Sequence, residues 1–243
     1  MAAQLSTISD GPVYQSIRRP AFPGFPSLAS PRIQMVAPVS KYIPKGPNKF
    51  DGVLVDGTVL RDLDYVHCGT GYRPLPNFIH VLDKKGKHEP FTSEEIVPWR
   101  VPSLHRLVMY ADNPTLAFIG APMVYTPFTV ADVASTWLAL AWLGETPYPS
   151  TPDGRLVYEQ ERLRLTEKRR KETENPSSLM VFNVMGQDEQ EYAAQFKRDI
   201  VKVRPELDEE LPVWNDEMTE KREAMFKTKY HALEYARDHP DCQ

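Results

Sequence analysis

An α/β fold with a charged, helical carboxyl-terminal region is predicted by three observations. Short apolar runs end in glycine, one longer segment repeats its apolar residues at helical spacing, and charged helix-forming sequence follows Pro152. Taken in order, Pro20, Pro23, Pro26, Pro31, Pro38, Pro44 and Pro47 make the first segment, residues 1–48, an extended arm, since each proline blocks helix and restricts its predecessor. The arm carries one short strand at Arg32 to Val36. Residues 49–152 form an α/β segment. In it, Gly52 to Thr58 alternates and breaks at Asp56-Gly57, which predicts a strand pair. Short strands are expected at Leu63 to Cys68 and at Pro114 to Gly120. A helix follows, with Val130, Val133, Ala134, Trp137, Leu138 and Ala141 on one buried face. Thr126 before Pro127 fits its cap, Thr129 with Asp132 offers a competing start, and Gly144 fits the stop. Residues 153–243 carry a highly charged helical stretch over Glu159 to Lys171 and two further helices, about Asp188 to Val201 and about Asn215 to Arg237, whose polarity predicts packing on the sheet through one narrow stripe.

Composition narrows the function classes. With 29 basic and 33 acidic residues the net charge is −4, so no whole-chain positive field favours nucleic acid. Cys68 and Cys242 are too few for a disulfide framework or a zinc cluster, which points to a reducing, cytoplasmic setting. The amino terminus lacks the pattern of a secretory signal, and no transmembrane segment is expected, because no window approaches the ~20 apolar residues that a span requires.

The first candidate for chemistry is Asp62-Leu-Asp64-Tyr-Val-His-Cys68-Gly-Thr70-Gly71-Tyr72-Arg-Pro74. A glycine-flanked turn after a strand admits a cofactor close to the backbone, and the same pattern serves as a plain tight turn. His67 and Cys68 are adjacent and would point to opposite sides of a strand, so a buried structural cysteine is expected there in place of a nucleophile and base. His80, His88 and His105 with Glu89, Glu94 and Glu95 lack helical ligand spacing, so no metal site is assigned. The basic run Arg162 to Lys171 fits a partner site or, given its interleaved glutamates, a solvated helix face.

The string at Asp64 to Tyr72 resembles the strand and Ala-Thr-Gly-Tyr linker of flavin-containing monooxygenases and the related Baeyer–Villiger enzymes, with Gly69 where alanine is usual. Asn113-Pro-Thr-Leu-Ala-Phe-Ile-Gly120, Pro122, Pro127-Phe128 and Trp137 follow in the family's order. Pro147-Tyr-Pro-Ser150 resembles its closing Leu-Pro-Ser, and Ala131-Asp-Val133 stands where the family has Glu-x-Gln. The resemblance covers Arg32 to Arg198. It implies the carboxyl-terminal part of a two-dinucleotide-binding-domain flavoprotein, with an incomplete FAD-domain sheet. Residues 1–48 would end an NADPH-domain-like region, and 49–152 would be FAD-domain-like.

By the same resemblance, Thr70, Gly71, Gly120, Thr126, Pro127, Phe128 and Thr129 would lie at the flavin, with a helix amino terminus facing the edge that gains negative charge on reduction. For the last four, capping and core packing are equally available roles. The implied chemistry is NADPH-dependent reduction of FAD, reaction with O2, and oxygen transfer to a small nitrogen, sulfur or carbonyl compound. No catalytic side chain is assigned.

The glycine fingerprint for FAD or NADPH is missing, since Gly69-Thr-Gly71 runs on to Pro74 and no other pair among the 12 glycines has the spacing. Three readings stay open. The chain is a truncated family member, one subunit of a split enzyme whose second chain supplies the nucleotide-binding loops, or a non-catalytic interaction or small-molecule-binding module.

Overall fold

The computed structural model describes residues 2–17, 28–69, 75–82, 86–174, 176 and 180–239. Its mixture of small sheets and helices is α/β in content. The chain divides into two compact units, 1–71 with 223–243, and 72–222.

In the first unit α1 (Ala2–Ile8) precedes β1 (Val13–Ser16), which pairs in parallel with β2 (Ile33–Val36), the strand expected in the arm. β3 (Val39–Gly46), β4 (Lys49–Leu54) and β5 (Val59–Leu63) form an antiparallel sheet in the order β3-β4-β5. The predicted hairpin lies between β4 and β5. Gly57 there has φ +87°, which a residue with a Cβ adopts at a cost, and the Asp56 carboxylate accepts from the Thr58 amide at 2.9 Å. That hydrogen bond holds the Asp56 carboxyl below its ordinary range.

The strand expected at Leu63 to Cys68 does not form. Asp62 takes φ +56°, its amide donates to the buried Asp51 carboxylate at 3.1 Å, and β5 ends at Leu63. Beyond that point Tyr65 is 72% exposed, and Cys68 is a free, exposed thiol in place of the buried cysteine expected. A left-handed residue that re-aims the chain leaves no ladder for residues 64–69 to join.

The second unit holds two short hairpins, β6 (His80–Leu82) with β7 (His88–Pro90) and β8 (Leu104–His105) with β9 (Met109–Tyr110). The run Pro114 to Gly120 contributes one isolated antiparallel bridge, Met109 to Ala117, where a full strand was expected. Asn113 turns the chain by accepting from the Thr115 amide at 3.1 Å and its hydroxyl at 2.7 Å, and Gly120 at φ +84° turns it again.

α2 (Pro127–Trp142) starts at the expected proline. Beyond it lie α3 (Pro152–Glu172), α4 (Glu189–Val203) and α5 (Asp216–Asp238), the last continuing past residue 222 into the first unit's sequence. α2 packs on α4, and Val133, Trp137, Ala193, Phe196 and Ile200 are completely buried at the centre of the core. A second cluster joins Phe91 edge-on to Tyr110 at 4.9 Å and stacked on Phe118 at 5.1 Å.

α3 buries Arg155, Glu159 and Arg162. The basic run Arg162 to Lys171 is therefore divided: Arg162 faces inward and donates to the Phe182 and Val184 carbonyls, while Lys168 and Lys171 are exposed. α5 has no buried residue. Among the described residues no helix is long and apolar enough to cross a membrane.

Candidate functional site

The amino end of α2 is where the sequence concentrates its predicted flavin contacts. Proline at the first position fixes φ and lacks an N–H, and the preceding Thr126 is the cap, yet its side chain makes no capping bond to the helix. The Thr126 hydroxyl donates instead to Glu189 at 2.5 Å. The same carboxylate accepts from the Tyr125 amide at 2.6 Å and the Thr126 amide at 3.1 Å. Glu189 is 0% exposed and is the first residue of α4, where the helix dipole also favours a negative charge. One carboxylate thus ties together the starts of two helices that share a core.

The remaining first-turn residues point differently. Phe128 is 89% exposed, and the Thr129 hydroxyl donates to the Thr126 carbonyl at 2.9 Å. Thr126, Thr129 and Glu189 line a cavity of about 290 Å³ together with Trp214, Met218 and Arg222. The Arg222 guanidinium sits 5.1 Å from the centre of the Tyr125 ring. Gly120 forms a turn before the helix. Thr70 and Gly71 lie outside the described residues.

Among the functional candidates, sequence reasoning did not single out Glu189. Its only signal was an acidic pair, Asp188-Glu189, opening a predicted helix, which reads equally well as ordinary dipole compensation.

A second concentration of polar groups surrounds the β8–β9 turn. Ser103, Arg106 and Leu107 have φ of 59°, 52° and 57°, left-handed values that cost conformational energy in residues other than glycine. Arg106 offsets this by stacking 5.1 Å from the Trp137 ring and 4.6 Å from the Phe196 ring, and by pairing with Asp199 at 2.6 Å. The Tyr192 hydroxyl donates to the Arg106 carbonyl at 2.9 Å. His105, against Trp137 and Tyr158, has its pKa lowered to about 4, first by burial and then by the neighbouring Arg106 charge. It is neutral at pH 7. Among the described residues no group of three or more His, Cys, Asp or Glu is gathered for a metal ion, and His80 and His88 lie on the separate β6–β7 hairpin.

No family model matches the chain. Over 156 residues it is 28% identical to the thiol-specific monooxygenase of Saccharomyces cerevisiae, a match covering 63% of this chain and 34% of that protein. The chain thus spans about a third of the length of the relative that it matches. Through that stretch it is similar to a monooxygenase, at the distance of a remote relative.

Proposed function

We propose that the chain is an oxidoreductase component of an FAD-containing, NADPH- and O2-dependent monooxygenase acting on a small sulfur compound, and that it works only with nucleotide-binding loops from outside residues 1–243. The observation that carries this reading is the match to a thiol-specific monooxygenase, which supports sulfur over the nitrogen and carbonyl classes. The need for further loops follows from the glycine fingerprint missing in residues 1–243, because the pyrophosphate of each dinucleotide requires close backbone approach. In this reading residues 1–48 end an NADPH-domain-like region, and Thr70, Gly71, Gly120, Thr126, Pro127, Phe128 and Thr129 border the flavin.

The residues at α2 fit that cofactor poorly without help. A reduced flavin brings negative charge to the helix end, and that end already holds Glu189 on the Tyr125 and Thr126 amides. A cavity of about 290 Å³ also lies just below the range usual for small-molecule and cofactor sites, about 300–1,000 Å³. The occupied helix end favours a second reading, a non-catalytic module that keeps the family's fold and has lost its flavin.

Flavin absorbance of the purified chain separates these readings. Residues 1–243 that stay colourless with FAD alone, but become coloured and oxidise NADPH when a second, loop-bearing protein is added, support the proposal. Yellow protein from residues 1–243 alone refutes the need for further loops. A chain that takes up no flavin in either condition is the non-catalytic module.

A further inference from the structure

We propose that the trough between α3 and α4 is a binding site for a small organic acid with an apolar body, separate from the cavity at the amino end of α2. The trough has a volume of about 510 Å³, within the range typical of small-molecule sites, about 300–1,000 Å³. Tyr158, Leu165, Met185 and Tyr192 give it an apolar floor. Leu165 is 40% exposed there, whereas Met185 and Tyr192 are buried beneath.

The charges around this floor are unequally satisfied. Asp188 accepts two hydrogen bonds from Arg169, at 2.6 and 2.9 Å, and lies 3.5 Å from Arg162. Glu191 is held by Arg198 at 2.6 Å and by Gln195 at 3.1 Å. Both carboxylates are therefore neutralised by groups belonging to the fold. On the α3 wall, Arg164 makes no ion pair among the described residues, and Lys168 reaches only Glu172, at 3.8 Å on the surface. Glu161, which lines the trough with these two cations, is the carboxylate there that makes no ion pair among the described residues.

The Tyr158 hydroxyl also makes no hydrogen bond among the described residues, although burial raises its pKa and keeps it a neutral donor. A ligand that lays an apolar ring on Leu165 and Tyr158 and directs a carboxylate to Arg164 and Lys168 would give both cations a counter-charge in the trough. A cation would meet two positive side chains and only Glu161 in return. The site is independent of the flavin reading, since it uses no residue at the amino end of α2.

Calorimetric titration of the full chain with 2-naphthoate, 2-naphthylmethylamine and 2-naphthalenemethanol tests the assignment. The expected result is saturable one-to-one binding of the naphthoate, at least about tenfold weaker binding of the neutral alcohol, and none of the amine. Arg164→Ala should weaken naphthoate about tenfold, Lys168→Ala less, and Leu165→Asp should abolish binding. All three side chains are exposed, so thermal melts of the variants should match the wild type. Absence of naphthoate binding at millimolar concentration, equal binding of all three probes, or an affinity indifferent to Arg164→Ala would overturn the proposal. Naphthoate binding that persists in Leu165→Asp but disappears in Thr129→Trp would assign the ligand to the other cavity and overturn it equally.

Discussion

α2 and α3 belong to the same unit, yet they are held by opposite means. α2 buries an apolar stripe whose centre, Trp137, is completely inaccessible and meets Phe196 edge-on at 5.4 Å. α3 buries Arg155, Glu159 and Arg162, also at i, i+4 and i+7, so its inward stripe is charged. Arg155 donates to the carbonyls of Ala111 at 2.6 Å, Pro149 at 2.8 Å and Ser150 at 2.9 Å. Glu159 accepts from Arg100 and from the Ser103 amide at 2.9 Å. Arg162 donates to the carbonyls of Phe182 at 2.7 Å and Val184 at 2.9 Å. The loops beside α3 have strands of two or three residues and therefore few ladder hydrogen bonds. The helix side chains supply partners that a larger sheet would have supplied from its backbone.

The largest effect should come from the apolar helix. Trp137→Ala removes the most voluminous fully buried side chain and leaves a cavity beneath Arg106, at an expected cost of about 4 kcal/mol in denaturant unfolding. A loss below about 1 kcal/mol would show that the α2–α4 contact is not the unit's core.

Next comes the polar stripe. Glu159→Ala leaves the Arg100 guanidinium, 15% exposed, without its counter-charge and the Ser103 amide without its acceptor, and should cost about 3 kcal/mol. Glu167→Ala on the same helix breaks only the exposed pair with Lys171 at 3.2 Å and should cost no more than about 0.5 kcal/mol. Equal effects of the two substitutions would show that the buried charged stripe does not hold α3.

His105 lies between the two helices, touching Trp137 of α2 and Tyr158 of α3. Its folded pKa of about 4 is below the ordinary 6.5, so the unfolded chain binds its proton first as the solution is acidified. Stability is complete above 6.5 and is lost as pH falls toward about 4. Between pH 7 and pH 5 this single group should remove about 2 kcal/mol. His105→Gln should flatten the pH dependence by that amount, and an unchanged slope would mean that the imidazole is not buried neutral.

The elements with one dominant local cause were legible in the sequence. Apolar spacing and Pro127 gave α2, and Asp56-Gly57 gave the β4–β5 hairpin. The strands expected after Leu63 and across Pro114 to Gly120 were not, because the deciding terms are the left-handed turn at Asp62 and side-chain turns at Asn113, neither visible in hydrophobic periodicity. The inward side of α3 was hidden for a related reason: Arg155 and Arg162 are buried against loop carbonyls, a partner no sequence pattern announces. At the candidate site the sequence offered Thr126 as a cap, with Thr129 as a competing start, but not Glu189, since the Thr126–Glu189 contact spans 63 residues.

The smallest expected effect sharpens the same comparison at the helix ends. α3 is capped by its own neighbour, the Thr151 hydroxyl accepting from the Gly154 amide at 3.1 Å, whereas α2 relies on the distant Glu189. Thr151→Ala should therefore cost about 1 kcal/mol, the usual value of a lost side-chain cap, and Thr151→Gly only a few tenths. A local cap touches only the first turn of α3, so this loss should add to that of Trp137→Ala within about 0.5 kcal/mol in the double variant. Glu189→Gln keeps the length of the side chain but weakens the hydrogen bonds that tie the α4 start to Tyr125 and Thr126, so it should couple to Trp137→Ala by more than that margin. If the Thr151 and Glu189 variants prove equally additive with Trp137→Ala, the Glu189 carboxylate is only a local cap and does not join the two helices.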